Sequence, residues 1–330
     1  MDLTTTYLGF QLPHPIVPGA SPLADELDTV RQLEDAGAPA IVLRSLFEEQ
    51  IVLEQMAEHV QLDSHADSFA EAASYFPDPA SFVLRSDAYL EHLRRVKEAV
   101  GVPVVASLNG TTLGGWLAYA GLMEQAGADA LELNVYRVAT DPTLSGADIE
   151  RETIDIVREV KARVGIPVAV KLSPFYTAFA HVARQLDTAG ADGLVIFNRF
   201  YQPDIDPADL ELSSQLHLSN SSDLLLRMHW TAILAGRVRA SLAITGGVHT
   251  SVDVVKATMA GAHVTQVVST LLLHGPSRLR AMVAGLKAWM REHEWYSLRE
   301  MRGNMSLERV PDPSAYERGN YMRMLLSWKA

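Results

Sequence analysis

Short runs of apolar and β-branched residues alternate along the chain with stretches whose apolar positions recur every three or four residues. Eight runs read as strands, over 15–20, 40–45, 102–109, 130–135, 167–173, 193–198, 242–247 and 264–270. Most are apolar at consecutive positions, as parallel strands covered on both faces are. Between them the spacing predicts helices over 28–36, 113–126, 149–164, 175–189 and 251–260. The last four run into Gly127, Gly165, Gly190 and Gly261, where glycine can take a left-handed cap conformation at little cost.

Repeated β-then-α units predict an α/β protein, a (β/α)8 TIM barrel in which residues 1–330 form a single domain and 291–330 a C-terminal extension. Such barrels need about 250 residues. The surplus falls in a long insertion after strand 2 (46–88), another after strand 6 (200–222), and the extension. Both insertions leave strand ends where barrels do chemistry, so they read either as lids and substrate walls or as surface decoration and oligomer contacts. The extension carries Trp295, Tyr296, Tyr316, Tyr321 and Trp328, and is expected across the barrel or against a second subunit. An open doubly wound sheet is the alternative. It calls for Gly-x-Gly-x-x-Gly after the first strand, and Pro18-Gly19-Ala20-Ser21-Pro22 is not that turn.

Charge and composition then remove several function classes. The 40 acidic and 28 basic residues leave a net charge of -12, which disfavours broad contact with nucleic acid or anionic membrane. A pocket for a single phosphate stays open. Without cysteine there is no disulfide, thiolate metal site, iron–sulfur cluster held by this chain, or Cys nucleophile. The 11 histidines show no metal-ligand spacing; His229, His249 and His274 read as surface or loop residues, and no metal is expected. No apolar run approaches the roughly 20 residues of a membrane span, and residues 1–11 do not resemble a signal peptide. The expectation is a cytoplasmic protein with a small-molecule substrate.

Candidate chemistry gathers at the predicted strand ends. Thr245-Gly246-Gly247-Val248 closes strand 7 ahead of a helix near Thr250, an arrangement that lets backbone and helix amides meet a phosphate. Ser269 and Thr270, placed at the end of strand 8, add hydroxyls there. A paired glycine is also a common tight turn. Lys171 ends an otherwise apolar strand and needs a partner if it points inward. One partner is the N1–C2=O edge of an isoalloxazine, which becomes negative on reduction; the others are solvent or Glu132 on the neighbouring strand. Asn109, Asn134 and Asn198 close strands 3, 4 and 6, and amides can read a ring of alternating imide and carbonyl groups, although asparagine also favours turns. Ala20 and Ser21 at strand 1 are small enough for a flat ring to lie over them, and Ser45 at strand 2 reaches the same mouth.

Together these residues resemble the dihydroorotate dehydrogenase family over roughly 5–290. The carriers are Gly246-Gly247-Val248, Ala260-Gly261-Ala262, the run 267–270 and Gly275-Pro276 near the C-terminus. Glu132-Leu133-Asn134, Val170-Lys171-Leu172-Ser173, Asn198 and Asp87-Ala88-Tyr89-Leu90 follow the family's order. The resemblance implies FMN as cofactor, with Lys171 on the flavin and Asn134 and Asn198 facing flavin or substrate. Gly247, Ser269 and Thr270 would hold phosphate, and Ala20, Ser21, Ser45, Asn109 and Gly246 complete the expected cofactor site. It also implies oxidation of dihydroorotate to orotate, a step of pyrimidine biosynthesis.

The loop after strand 4 departs from the family. It reads Asn134-Val135-Tyr136-Arg137-Val138-Ala139, with Arg137 where the family carries its Cys or Ser base and Ala139 in place of an Asn. Val83 falls near another family Asn. A guanidinium keeps its proton near neutral pH and is a poor base. Tyr136, Thr140 or Asp141 would have to substitute, with Arg137 binding a carboxylate; Lys171, Arg137 and Tyr136 are thus the catalytic candidates, and Asn134, Arg137 and Asn198 the substrate contacts. Three functions stay open: dihydroorotate oxidation, FMN redox chemistry on another dihydro-heterocycle, and a non-redox phosphate-binding barrel with Lys171 as a Schiff-base lysine. A homodimer and a separate electron-transfer subunit are both compatible.

Overall fold

The computed structural model describes residues 1–50, 86–110, 112–135, 137–213 and 215–327. Eight parallel strands form one sheet: β1 (Ile16–Pro18), β2 (Ile41–Phe47), β3 (Val104–Asn109), β4 (Ala130–Asn134), β5 (Val168–Leu172), β6 (Gly193–Ile196), β7 (Ser241–Thr245) and β8 (Val264–Val267). Their order is β1-β8-β7-β6-β5-β4-β3-β2, which brings β1 back beside β2 in a nearly closed barrel. The outer ring comprises α1 (Leu27–Asp35), α2 (Ser86–Ala99), α3 (Leu113–Gln125), α4 (Gly146–Arg163), α5 (Phe179–Thr188), α6 (Leu224–Leu234) and α7 (Ser251–Ala260). The fold is the expected TIM barrel.

Alternate strand residues divide the core in two. Outward-facing Leu131, Leu133, Val168, Val170, Leu194 and Ile244 pack against the helices, with Trp116 and Phe179 among the largest fully buried side chains. Inward-facing Val42, Val105, Ala130, Ala169, Val195, Ala243 and Val264 make a small-residue floor. An antiparallel hairpin, Thr5–Tyr7 with Phe10–Leu12, plugs it with Tyr7, Leu8 and Leu12. Its two-residue turn puts Leu8 and Gly9 at positive φ, the twist a tight hairpin prefers. Leu8 lies so close to β6 that a Cβ at Gly193 would come 2.7 Å from it.

Several boundaries move. Strand 8 stops at Val267, and Ser269 and Thr270 open a short helix, α8 (Ser269–His274), because the Val268 carbonyl accepts the amides of Leu271 and Leu272. Gly127, Gly190 and Gly261 have positive φ as expected of caps. Gly165 does not: α4 ends in extended Val164, and the Gly165 amide donates to the Glu124 carboxylate. The connection after β6 forms an exposed hairpin, Asp204–Asp206 with Glu211–Ser213. Most of the insertion after β2 lies outside the described residues. After α9 (Arg278–Glu292), the C-terminal extension buries Leu298 and Met301, and Gly303, Met305 and Leu307 donate to carbonyls of α7 and α6. Its last helix, α10 (Arg318–Leu326), has no buried residue. Among the described residues no helix is long and apolar enough to cross a membrane.

The floor also sets a pH dependence. His263, ahead of β8, accepts the Leu242 amide on Nδ1 at 3.0 Å, a bond available only to the unprotonated nitrogen. Burial, and then the charge of Arg302, push its pKa from 6.5 down to about 4. The unfolded chain therefore binds the proton first as pH falls. Stability that is complete above pH 6.5 is lost toward pH 4, by about 2–3 kcal/mol. Chemical denaturation across that window should show the decline, and His263→Gln should remove this part of it.

Candidate active site

The C-terminal ends of β5 to β8, with the segment after β1, surround one cleft. Expected site residues that line it are Ala20, Lys171, Asn198, Gly246, Gly247 and Ser269.

At its β7 side, Gly246 and Gly247 take φ of +85° and +80°. A Cβ at Gly247 would collide with the Leu224 backbone nitrogen at the start of α6, and one at Gly246 would come 2.9 Å from Arg227 Nε. Only glycine fits beneath that helix. Arg227 is buried and donates to the carbonyls of Thr245 and, at 2.7 Å, Asp223, so its guanidinium braces the turn. The Gly247 amide donates to Ser219 Oγ at 3.3 Å; Ser219 in turn donates to Ser269 Oγ at 2.9 Å through its hydroxyl and 3.2 Å through its amide. His249 Nε2 lies 3.1 Å from the same hydroxyl, and burial lowers that imidazole's pKa. An amide, two hydroxyls and an imidazole converging on one spot can hold a phosphate by hydrogen bonding.

The start of α7 contributes less than its sequence suggests. Asp253 accepts the amides of His249 and Thr250 at 3.0 and 2.9 Å, while Thr250 Oγ1 accepts the Asp253 amide. This capping box takes up three of the amides around the helix start, those of His249, Thr250 and Asp253. Thr270 is fully buried, within 3.4 Å of the His249 carbonyl, and does not line the cleft.

On the β5 side, Lys171 is buried with Nζ 3.2 Å from Glu132 Oε1, so the partner on the neighbouring strand is the one realised. Lys171 still lines the cleft. Gln266 Nε2 donates to Glu132 Oε2 at 2.6 Å. Two buried polar atoms near these strand ends have no partner, Asn134 Oδ1 and an Arg199 Nη, while Gln266 faces the Tyr7 hydroxyl below it. Asn134 pairs in register with Lys171, and Asn198 spends its Oδ1 on the Arg199 amide at 3.0 Å.

Other expected residues stand elsewhere. Asn109 and Asn134 are buried at their strand ends without lining the cleft, and Ser21 is buried ahead of a 3-10 turn. Ser45 is engaged with Ser107 at 2.7 Å. Arg137 lines a second cavity of about 680 Å³ beside Val138, Leu144, Phe175 and Phe200. There it is paired with Glu152, both side chains about half exposed. Tyr136 lies outside the described residues, as does Val83. No cluster of three metal-ligating side chains occurs among the described residues.

The sequence reading missed Ser219, Gln266 and the central place of Glu132. Asn220 and Asp223 form a capping box, a pattern visible as Asn-x-x-Asp, but nothing local aims the preceding serine at Gly247.

Fold and cleft define a TIM barrel with a polar cleft at the rims of β5 to β8. The family model described as dihydroorotate dehydrogenase matches residues 85–290, and the chain belongs to that family. It is 24% identical over 314 residues to the catalytic subunit of dihydroorotate dehydrogenase B (NAD(+)) from Thermoplasma acidophilum, covering 92% of this chain and 98% of that protein. It is 28% identical over 219 residues to a putative dihydroorotate dehydrogenase A (fumarate) of Aeropyrum pernix, covering 64% of this chain and 70% of that protein. With the NAD-dependent dihydropyrimidine dehydrogenase subunit PreA of Escherichia coli it shares 23% over 329 residues, 94% of this chain and 78% of that one. Membership supports an oxidoreductase acting on a CH–CH bond of a dihydropyrimidine-like substrate.

Gly247→Ala should lower the thermal midpoint and phosphate-ligand affinity together, because the added methyl strains φ and pushes α6 away; the strain alone costs about 1 kcal/mol or more. Differential scanning calorimetry with and without FMN measures both. An unchanged midpoint would contradict this close packing.

Proposed function

We propose that this chain is an FMN-dependent oxidoreductase that exchanges a hydride with the C5–C6 bond of a dihydropyrimidine. The carrying observation is the convergence of Lys171, Asn198, Gly246, Gly247, Ser219 and Ser269 on one cleft. The fit to a flavin rests on the glycine cradle together with the unpartnered Arg199 Nη at the cleft, since a buried polar atom without a partner is costly unless a ligand engages it. Gly247, Ser219 and Ser269 would hold the phosphate, Ala20 would leave room for the ring, and Lys171 would lie at its pyrimidine edge. Bound there, FMN would supply the two-electron acceptor. The protein's own part is orientation, exclusion of water, and a fixed ammonium beside the edge that gains negative charge.

Dihydroorotate is the finer reading, with Asn134, Asn198 and Arg137 as its contacts. Within it Asp141 is a weak candidate base. Its carboxylate accepts the Thr143 hydroxyl and amide at 2.7 and 2.8 Å, which holds its pKa below the usual value. Tyr136 keeps its candidacy from sequence. The Arg137–Glu152 pair favours a second reading, an uncharged dihydropyrimidine, because the cation expected to meet a ring carboxylate is already neutralised. Relatives named as a catalytic subunit and as subunit PreA support a separate electron-transfer partner. A cytoplasmic location and a single-domain organisation belong to the same reading.

The purified protein should be yellow or take up FMN, and dithionite should bleach it; a colourless protein that refuses FMN overturns the reading. Anaerobic mixing with dihydroorotate and, separately, 5,6-dihydrouracil then tests the substrate. Bleaching by dihydroorotate alone supports the finer reading, and bleaching by dihydrouracil alone supports the second. Lys171→Ala should slow flavin reduction by about 10²–10³-fold. It should also reduce stability, because Glu132 would be left buried without its counter-ion.

A further inference from the structure

The inside of the barrel is layered by charge. On β4, Ala130 belongs to the apolar floor and Glu132 stands one inward position above it; on β5 the same step separates Ala169 from Lys171, and on β8 Val264 from Gln266. Glu132 is wholly buried. Its two oxygens are divided between Lys171 at 3.2 Å and Gln266 at 2.6 Å. Beneath lies Tyr7 of the hairpin plug, whose hydroxyl faces Gln266 and whose pKa is raised by burial and then by the Glu132 charge. A carboxylate with an apolar floor below it and one ammonium beside it acts chiefly on that ammonium.

We propose that Glu132 is a positioning residue that sets how much of the Lys171 charge reaches the cleft, and thereby the reduction potential of the flavin held there; this rests on the flavin reading above. An isolated buried ammonium is costly, so the neutral pair is the arrangement that folds without ligand. The carboxylate also draws the Lys171 field inward, away from the cleft mouth. The negative charge of a reduced flavin competes with Glu132 for the same cation. Glu132 thus moderates the stabilisation of the reduced state, and Gln266 fixes the carboxylate at the distance where it does so.

The test is the midpoint potential of the FMN-loaded full chain, measured by equilibration with a reference dye. Glu132→Gln keeps the shape and a polar contact to Gln266 while removing the charge. It should favour reduced over oxidised flavin about tenfold more than the parent, a positive shift of about 30 mV for a two-electron couple. Glu132→Asp keeps the charge but withdraws it by one methylene, and should shift the potential the same way by less; it carries the test if the Gln variant does not fold. A purely structural role would change stability and leave the potential in place. A yellow protein with equal potentials in parent and folded variants overturns this inference alone, whereas a chain that takes up no FMN overturns it together with the flavin reading. On the parent and the Glu132→Gln, Lys171→Met and double variants, stability effects should be non-additive by at least tenfold in the folding equilibrium, and additive effects overturn the coupling.

Discussion

An ammonium can stand at the mouth of this barrel because a carboxylate one strand away is buried with it. Lys171 and Glu132 lie on adjacent parallel strands, and the register puts Asn134, two residues beyond Glu132, opposite Lys171. Neither charge would tolerate the interior alone, and the pair is held further by Gln266 from across the barrel. Three strands therefore share one polar layer. The cleft's shape follows, because β4, β5 and β8 are tied together just below the rim where a ligand would lie.

What lies beneath makes that layer possible. Tyr7, Leu8 and Leu12 fill the N-terminal end against a ring of small side chains, with Leu8 packed on Gly193. That end of the barrel is thereby closed by apolar side chains, and the cleft opens at the other. In such an interior each hydrogen bond counts for more, and each unpaired atom costs more.

The barrel was legible because its signals are local and repeated: apolar runs of strand length, helical spacing between them, and glycine at most of the helix ends. The glycine pair before α7 and the lysine on β5 were legible for the same reason, since each breaks its own segment's pattern. Ser219 was not. It lies in a polar connection where every residue looks alike, and it gains meaning only when α6 brings it over Gly247. Ser269 and Thr270 looked equivalent in sequence. The turn at Val268 separates them, leaving Ser269 at the cleft and Thr270 in the core. Nor does spacing along the chain show that Asp253 closes back on the amides of His249 and Thr250.

The two halves of the rim answer to different constraints. Around β7 and β8, the positive φ of two glycines, the pressure of α6 on Gly247 and the shared hydrogen bonds of Ser219 leave little room for substitution. Around β4 the constraint is loose. Val138, Ala139 and Asp141 are exposed, and Arg137 turns outward to a glutamate on α4, so that loop is held by few buried contacts. Under the proposed function the rigid half is the phosphate end and the loose half the substrate end, so the substrate can change without rebuilding the cofactor cradle. That proposed asymmetry accounts for a family pattern that persists around β7 and β8 while the loop after β4 departs from it.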